Sequence, residues 1–312
     1  MEMKSNMKGR SFISIHDFTA DEINYILEIG KQLKTMQKRG VSHRYLAGKT
    51  LGMIFQKSST RTRVAFEVGM YQLGGHALFL NPRDIQLGRG ETIKDTARVL
   101  GRMLDGIMIR TFDHEEVVEL AEWSGIPVIN GLTDLLHPTQ VIGDLMTIQE
   151  NKGRIKGLKL AYIGDGNNMA HSLLFGGAKT GMDVVIAAPE GLGPDAGILE
   201  LARQDAESTG AILTVVQDPA EAVQGADILY TDVWASMGQE ENAAEKEALF
   251  KDYQINQQLL QQAKPDAIVL HCLPAKRGKE ITDEVMDGPQ SRVFDEAENR
   301  LHAHKAIMTV LM

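Results

Sequence analysis

Short apolar runs separated by amphipathic stretches recur along this chain, and that alternation constrains the fold more than any other feature. The first series predicts strands over Thr50–Phe55, His76–Leu80, Gly106–Arg110 and residues 126–130, with helical patterns over 61–73, 92–104 and 114–124. Gly74 and Gly75 stop the first of these helices, as glycine does at a helix C-terminus. A second series starts at Lys159 with KLAYIGD and continues through DVVIAAP, AILTVVQ, DILYTDV and AIVLHCL, again with helical segments between. Strands that are apolar throughout, rather than on alternate residues, are buried on both faces, and helical crossovers make neighbouring strands parallel. The expected fold is therefore α/β: two domains, each a parallel sheet flanked by helices.

The length of 312 residues suits two domains at roughly 150 residues apiece. The first is expected over residues 1–146 and the second over 147–295, with the last helix, about 296–312, returning to the first. Near the start, Thr19 and Glu22 have capping-box spacing ahead of Ile23, Ile26, Leu27 and Leu33, which recur at helical intervals.

Charge narrows the partners. Thirty-three Lys and Arg stand against 42 Asp and Glu, a net charge of −9, which argues against a nucleic-acid or anionic-membrane surface and leaves room for a local basic pocket. Cys272 is the single cysteine, so neither an intrachain disulfide nor a thiolate-rich metal site is expected. No apolar stretch approaches the ~20 residues of a membrane helix. The opening MEMKSNMKGRSF carries charge without a following apolar region, so it does not read as a secretion signal. The expectation is a cytoplasmic protein.

In open α/β sheets ligands gather at the carboxyl ends of the strands. Several polar clusters fall there: SSTRTR after TLGMIF, Arg110 after GIMI, HPTQ after IPVIN, GDGNN after KLAYI, DVWASMG after DILYT, and HCLP after AIVL. With two domains, the cleft between two such edges is the expected active site.

SSTRTR opens a helix, where backbone N–H groups and the dipole favour an anion. Ser59, Thr60 and Thr62 add hydroxyls, and Arg61 adds a planar fork suited to phosphate oxygens. Capping serines with solvated arginines is the structural alternative. HPTQ offers His137 and Gln140, one able to donate and the other to accept toward an amide or carbonyl, with Pro138 fitted to a first helical turn. Either residue alone could be structural, as could Arg110 at its strand end. GDGNN resembles the turn of a dinucleotide unit but has Asn167 and Asn168 where the fingerprint wants further residues ending in glycine. In DVWASMG, Asp232 suits an ammonium group, and the backbone near Ser236 and Met237 suits a carboxylate, with a plain surface loop as the structural alternative. Successive strand residues point to opposite faces, so His271 and Cys272 are not expected to form a nucleophilic pair. No HExxH or Cys–His ligand spacing appears, and no metal or cofactor is expected.

Taken together, these motifs resemble those of ornithine carbamoyltransferases over nearly the whole chain: STRTR at 59–63, QLGRGE at 86–91, HPTQ at 137–140, GDGNN at 164–168, DVWASMG at 232–238, HCLP at 271–274 and EAENR at 296–300. The resemblance implies transfer of a carbamoyl group from carbamoyl phosphate to L-ornithine, giving L-citrulline and phosphate. It assigns carbamoyl phosphate to Ser59, Thr60, Arg61, Thr62, Arg110, His137, Gln140, Cys272, Leu273 and Arg300, with Gln86 supplied by a neighbouring subunit. It assigns ornithine to Asn168, Asp232, Ser236 and Met237, and catalysis to Arg61, Arg110, His137, Asp232 and Cys272. It also implies a homotrimer or a higher assembly of trimers. Putrescine and aspartate carbamoyltransferases share parts of this pattern, but SMG is equipped for an α-carboxylate, which putrescine lacks. A dehydrogenase using GDGNN and a non-catalytic binding subunit are rivals from other classes.

Overall fold

The computed structural model describes residues 7–87, 90–235 and 243–312. Side chains of residues 243–245 are outside this description. The chain divides into two compact units, Met1–Met146 with Asn299–Met312, and Thr147–Glu298.

The first unit opens with α1 (Ala20–Lys38), whose capping box forms: Thr19 Oγ1 accepts from Glu22 N at 3.2 Å, and Glu22 Oε2 accepts from Thr19 N at 2.9 Å. Then come β1 (Thr50–Phe55), α2 (Thr60–Gln72), β2 (His76–Leu80), α3 (Ile93–Leu100), β3 (Gly106–Arg110), α4 (His114–Ser124), β4 (Val128–Leu132) and α5 (Pro138–Lys152). The strands form one parallel sheet in the order β2-β1-β3-β4. β1, β3 and β4 are buried almost throughout, and β2 at the edge is half-exposed. Ile54, Ile107, Ile109 and Val128 from the sheet pack with Val117 and Leu120 of α4.

Two boundaries differ from expectation. β4 starts at Val128 because Pro127 has no N–H to give the ladder, although its carbonyl accepts from Ile107 N at 2.9 Å. The helix expected over 92–104 stops at Leu100: a Cβ on Gly101 would fall 1.8 Å from the Ser124 carbonyl oxygen, so the helix end and α4 meet backbone to backbone.

The second unit contains β5 (Lys159–Ile163), α6 (Asn168–Thr180), β6 (Asp183–Ala187), α7 (Ala196–Ala206), β7 (Leu213–Val216), α8 (Pro219–Val223), β8 (Ile228–Thr231), α9 (Ala243–Leu249), α10 (Gln257–Leu260), β9 (Ile268–His271) and α11 (Asp283–Met286). The sheet is again parallel, in the order β7-β6-β5-β8-β9. Ala161, Ile163, Leu229 and Val269 from its strands pack with Trp234, Phe250 and Ile281. The last helix, α12 (Val293–Leu311), begins in this unit and ends in the first.

Both sheets reverse direction once in their strand order, between β1 and β3 in the first and between β5 and β8 in the second. Such switch points open a crevice at the carboxyl ends of the two central strands. The polar clusters SSTRTR and Arg110 flank the first; GDGNN and Asp232 flank the second.

Candidate active site

At the first switch point, Ser59 caps α2. Its Oγ accepts from Thr62 N at 3.2 Å and lies 3.0 Å from Thr62 Oγ1. Thr60 is exposed at the first helical position, and Arg61, half-buried, follows. The first N–H groups of a helix lack intrahelical acceptors, so this end carries partial positive charge. Arg110 closes β3 beside Phe55, and its carbonyl accepts from Gln56 N at 2.9 Å, which ties the exit of β1 to the exit of β3. Arg300 of α12 donates from Nη2 to Thr62 Oγ1 at 2.5 Å, and a Cβ on Gly143 would meet the Arg300 backbone at 3.4 Å. Close approach at Gly143 therefore seats Arg300 against α5.

His137 lies one residue before α5 and is buried. Burial pushes its pKa well below the ordinary 6.5, and the charges of Arg300, Arg110 and Arg61, with His304, push it further the same way. The imidazole is therefore neutral at neutral pH, among arginines on three separate elements. Gln140, one turn into α5, donates to Asp144 Oδ1 at 2.8 Å, a helical i, i+4 pair that fixes its amide. Gln86 is exposed in the segment after β2.

At the second switch point, Asp232 follows β8 and is buried. Its Oδ1 accepts from Val233 N at 2.7 Å and from Cys272 Sγ at 3.0 Å, and its Oδ2 accepts from Asn167 Nδ2 at 3.0 Å. Asn167 is the N-cap of α6. Its Oδ1 accepts from Met169 N at 2.9 Å, Ala170 N at 3.3 Å and Tyr162 OH at 3.2 Å. Every polar atom of that side chain is committed, so Asn167 fixes the carboxylate's orientation. Burial raises the Tyr162 hydroxyl well above its ordinary range, with Asp232, Asp165 and Cys272 adding to the shift, and this keeps it a donor. Asn168, the first residue of α6, is buried, and its carbonyl accepts from Ser172 Oγ at 2.8 Å. Asp165 pairs with Lys246 Nζ at 2.6 Å; burial raises its pKa against that pairing. Ser236 and Met237 lie outside the described residues.

HCLP differs from the strand-alternation expectation. β9 ends at His271, and beyond the ladder the pleat no longer sets side-chain direction. Leu273 takes a left-handed backbone at φ 58°, and the thiol and imidazole come to the same side: ligand atoms of Asp232, His271 and Cys272 lie within 4.8 Å of one another. They still form no nucleophilic pair. The thiol is bonded to Asp232, while His271 Nδ1 accepts from Leu273 N at 2.9 Å and Nε2 bonds to Glu280 Oε1 at 3.1 Å. Both ring nitrogens are engaged, so as a metal ligand His271 would have to release one of these bonds, and the set fits a metal poorly.

The sequence reading missed Asn167 as the brace of Asp232, Asp144 as the partner of Gln140, and Glu280 behind His271. Asparagine ahead of a helix is a readable N-cap signal, and Gln140–Asp144 has readable i, i+4 spacing. Nothing local to Glu280 marks it.

Two family models match the chain. Residues 10–150 match the carbamoyl-P binding domain of aspartate/ornithine carbamoyltransferase, and residues 156–311 match its Asp/Orn binding domain. The ornithine carbamoyltransferase of Oceanobacillus iheyensis is 59% identical over 309 residues, 99% of this chain and 96% of that protein. Among solved structures, ornithine carbamoyltransferase from Pyrococcus furiosus has a TM-score of 0.95 at 55% identity and covers 98% of each chain. The anabolic ornithine carbamoyltransferase of Campylobacter jejuni has a TM-score of 0.90 at 41% identity, covering 96% of this chain and 97% of its own. The chain belongs to the aspartate/ornithine carbamoyltransferase family, a class of carbamoyl-group transferases. Within that family its similarity lies with the ornithine carbamoyltransferases.

Proposed function

We propose that this protein transfers the carbamoyl group of carbamoyl phosphate to the δ-amine of L-ornithine, giving L-citrulline and phosphate. The observation that carries this reading is the division of chemistry between the two switch points. Arginines surround neutral His137 at one, where Arg300 is also bonded to the Thr62 hydroxyl, and the braced Asp232 carboxylate stands beside Cys272 at the other.

In this reading Ser59, Thr60, Arg61 and Thr62 hold the phosphate with the N-terminus of α2, and Arg110 and Arg300 add charge from β3 and α12. Neutral His137 has one N–H to donate to the carbamoyl oxygen, and Gln140 holds the carbamoyl end. Asp232 and Asn168 take the ornithine ammonium, and Ser236 and Met237 the carboxylate. Cys272 and Leu273 orient the attacking amine and the carbamoyl group. The neutral δ-nitrogen bonds to the carbamoyl carbon, the carbon–oxygen bond to phosphate breaks, phosphate leaves with the electron pair, and the δ-nitrogen releases one proton, for which the departing phosphate is a competent acceptor. No covalent enzyme intermediate is required; catalysis rests on orientation and on cations placed where charge develops. Transfer demands that both sets of residues serve one reaction centre. Gln86, exposed after β2, serves a neighbouring subunit of a homotrimer or an assembly of trimers, and the enzyme works in the cytoplasm.

The deciding experiment is a colorimetric citrulline assay with carbamoyl phosphate, run with ornithine and putrescine side by side. Ornithine is expected to turn over and putrescine to be a poor substrate. Equal use of both amines, or no product from ornithine, overturns the proposal.

A further inference from the structure

Among the described residues, Leu273 is the one non-glycine with a positive φ, at 58°. A side chain with a Cβ seldom takes that conformation unless its surroundings impose it. Here the imposing contact is specific. The Leu273 N–H donates to His271 Nδ1 at 2.9 Å, which makes Nδ1 the unprotonated nitrogen. The imidazole proton is then on Nε2, facing Glu280 Oε1 at 3.1 Å. Glu280 is fully buried, and the same oxygen accepts from Lys276 N at 2.5 Å, so one carboxylate ties both ends of the 271–276 segment. On the strand side, His271 N donates to Glu296 Oε2 at 2.8 Å, and Glu296 Oε1 accepts from Tyr230 OH at 3.1 Å.

Two buried carboxylates therefore hold a single short turn. Burying them is costly, and apolar residues fill such volumes as well or better. What the arrangement provides is a fixed backbone just past β9, where Cys272 Sγ reaches Asp232 at 3.0 Å. We infer that His271 and Glu280 are positioning residues for carbamoyl transfer: the Glu280 carboxylate fixes the His271 tautomer, and His271 Nδ1 holds Leu273 left-handed, so that the Cys272 thiol and the Leu273 backbone meet the substrates in reacting geometry. This inference rests on the function proposed above.

The test measures kcat, both KM values and the thermal unfolding midpoint of the full-length protein. Glu280→Gln, which retains the accepting oxygen, is expected to keep kcat within about threefold, and Glu280→Leu to lower it by about tenfold or more. The KM for carbamoyl phosphate is expected to change less than kcat in both, because the α2 cap that takes the phosphate is untouched and the turn meets only the carbamoyl end. His271→Leu is expected to lower kcat by about tenfold or more in the native background but by less than about threefold in a Leu273→Gly background. Glycine takes positive φ unaided, so the brace has less to hold. Should the leucine variants not fold, His271→Asn against His271→Ala replaces them. An asparagine oxygen can accept from the N–H two residues on, so the asparagine variant is expected to be the more active. Equal losses from His271→Leu in both backgrounds, full activity in Glu280→Leu, or an asparagine variant no better than alanine overturns the inference. Absence of citrulline from the unmutated protein instead overturns the proposed function, so the two failures are distinguishable.

Discussion

Asp232→Asn separates the structural and chemical duties of the second switch point. The two side chains have the same shape, so the change tests hydrogen-bond polarity. Oδ1 receives two donors, Val233 N and Cys272 Sγ, and Oδ2 receives one, Asn167 Nδ2. An asparagine here does best by keeping its oxygen toward the two donors and turning its NH2 toward Asn167. That sets donor against donor. Asn167 has no relief by flipping, because its own oxygen already serves Met169 N, Ala170 N and Tyr162 OH. Leaving a buried donor unpaired costs about 1–3 kcal/mol. At about 2–4 °C per kcal/mol for a unit of this size, the unfolding midpoint should fall by roughly 2–12 °C.

Asn167→Ser provides the control. Serine is a good N-cap but offers no amide toward Asp232. In that background Asp232→Asn should cost less stability than in the native one. The acceptor lost by Tyr162 is common to the single and double variants and cancels in the cycle. Activity should behave differently. In the proposed function, losing the charge assigned to the ornithine ammonium, worth about 1.5–3 kcal/mol, should lower kcat/KM for ornithine by roughly ten- to 150-fold in either background. Calorimetry and the citrulline assay on the four proteins decide the matter. Equal destabilisation by Asp232→Asn in both backgrounds refutes the donor–donor argument, and recovery of activity along with stability refutes the charge role.

Arg61→Gly is expected to abolish measurable carbamoyl-phosphate binding by calorimetry while leaving the circular dichroism spectrum unchanged; undiminished turnover contradicts the anion-site assignment. Because burial and neighbouring arginines hold His137 neutral, it should not titrate between pH 6 and 8. Since the attacking amine must shed a proton, kcat/KM for ornithine should rise with pH around neutrality, and His137→Gln should lower kcat while leaving that profile's shape unchanged; loss of an inflection near neutrality counts against this. Burial lowers Lys305 from its ordinary 10.5 to about 8, among Gln37, Gln72 and His43. Between those values the unfolded chain binds more protons than the folded one, so stability rises with pH across the window. The native protein should gain stability there relative to Lys305→Met in denaturant unfolding, and parallel pH curves refute it.

The motifs legible in the sequence are those whose neighbours announce where they lie. SSTRTR follows an uninterrupted apolar strand and precedes a helical pattern, so its place at a carboxyl strand edge follows from parallel topology alone. The same holds for Arg110, GDGNN and Asp232. Gly166 was legible as a position and not as a cause. A Cβ there would sit 2.0 Å from the Gly193 carbonyl carbon, so the glycine admits another loop of its own chain, one that GDGNN itself does not reveal.

What stayed illegible is the layer behind the motifs. Glu280, in none of the motifs, and Glu296, the first residue of EAENR, reach His271 from separate later segments, without periodicity or spacing to connect them to the strand they brace. Strand alternation failed at HCLP for a related reason: it holds only inside a hydrogen-bonded ladder, and the groups of interest stand one residue past the last rung. A motif shows where a parallel sheet presents its polar ends, but the direction each group points is set by partners remote in sequence. Asp232 illustrates the difference: its position follows from β8, and its orientation follows from Asn167, Val233 and Cys272 on three different segments of the second unit. Geometry at this site therefore depends on pairings between motifs, which no single motif displays.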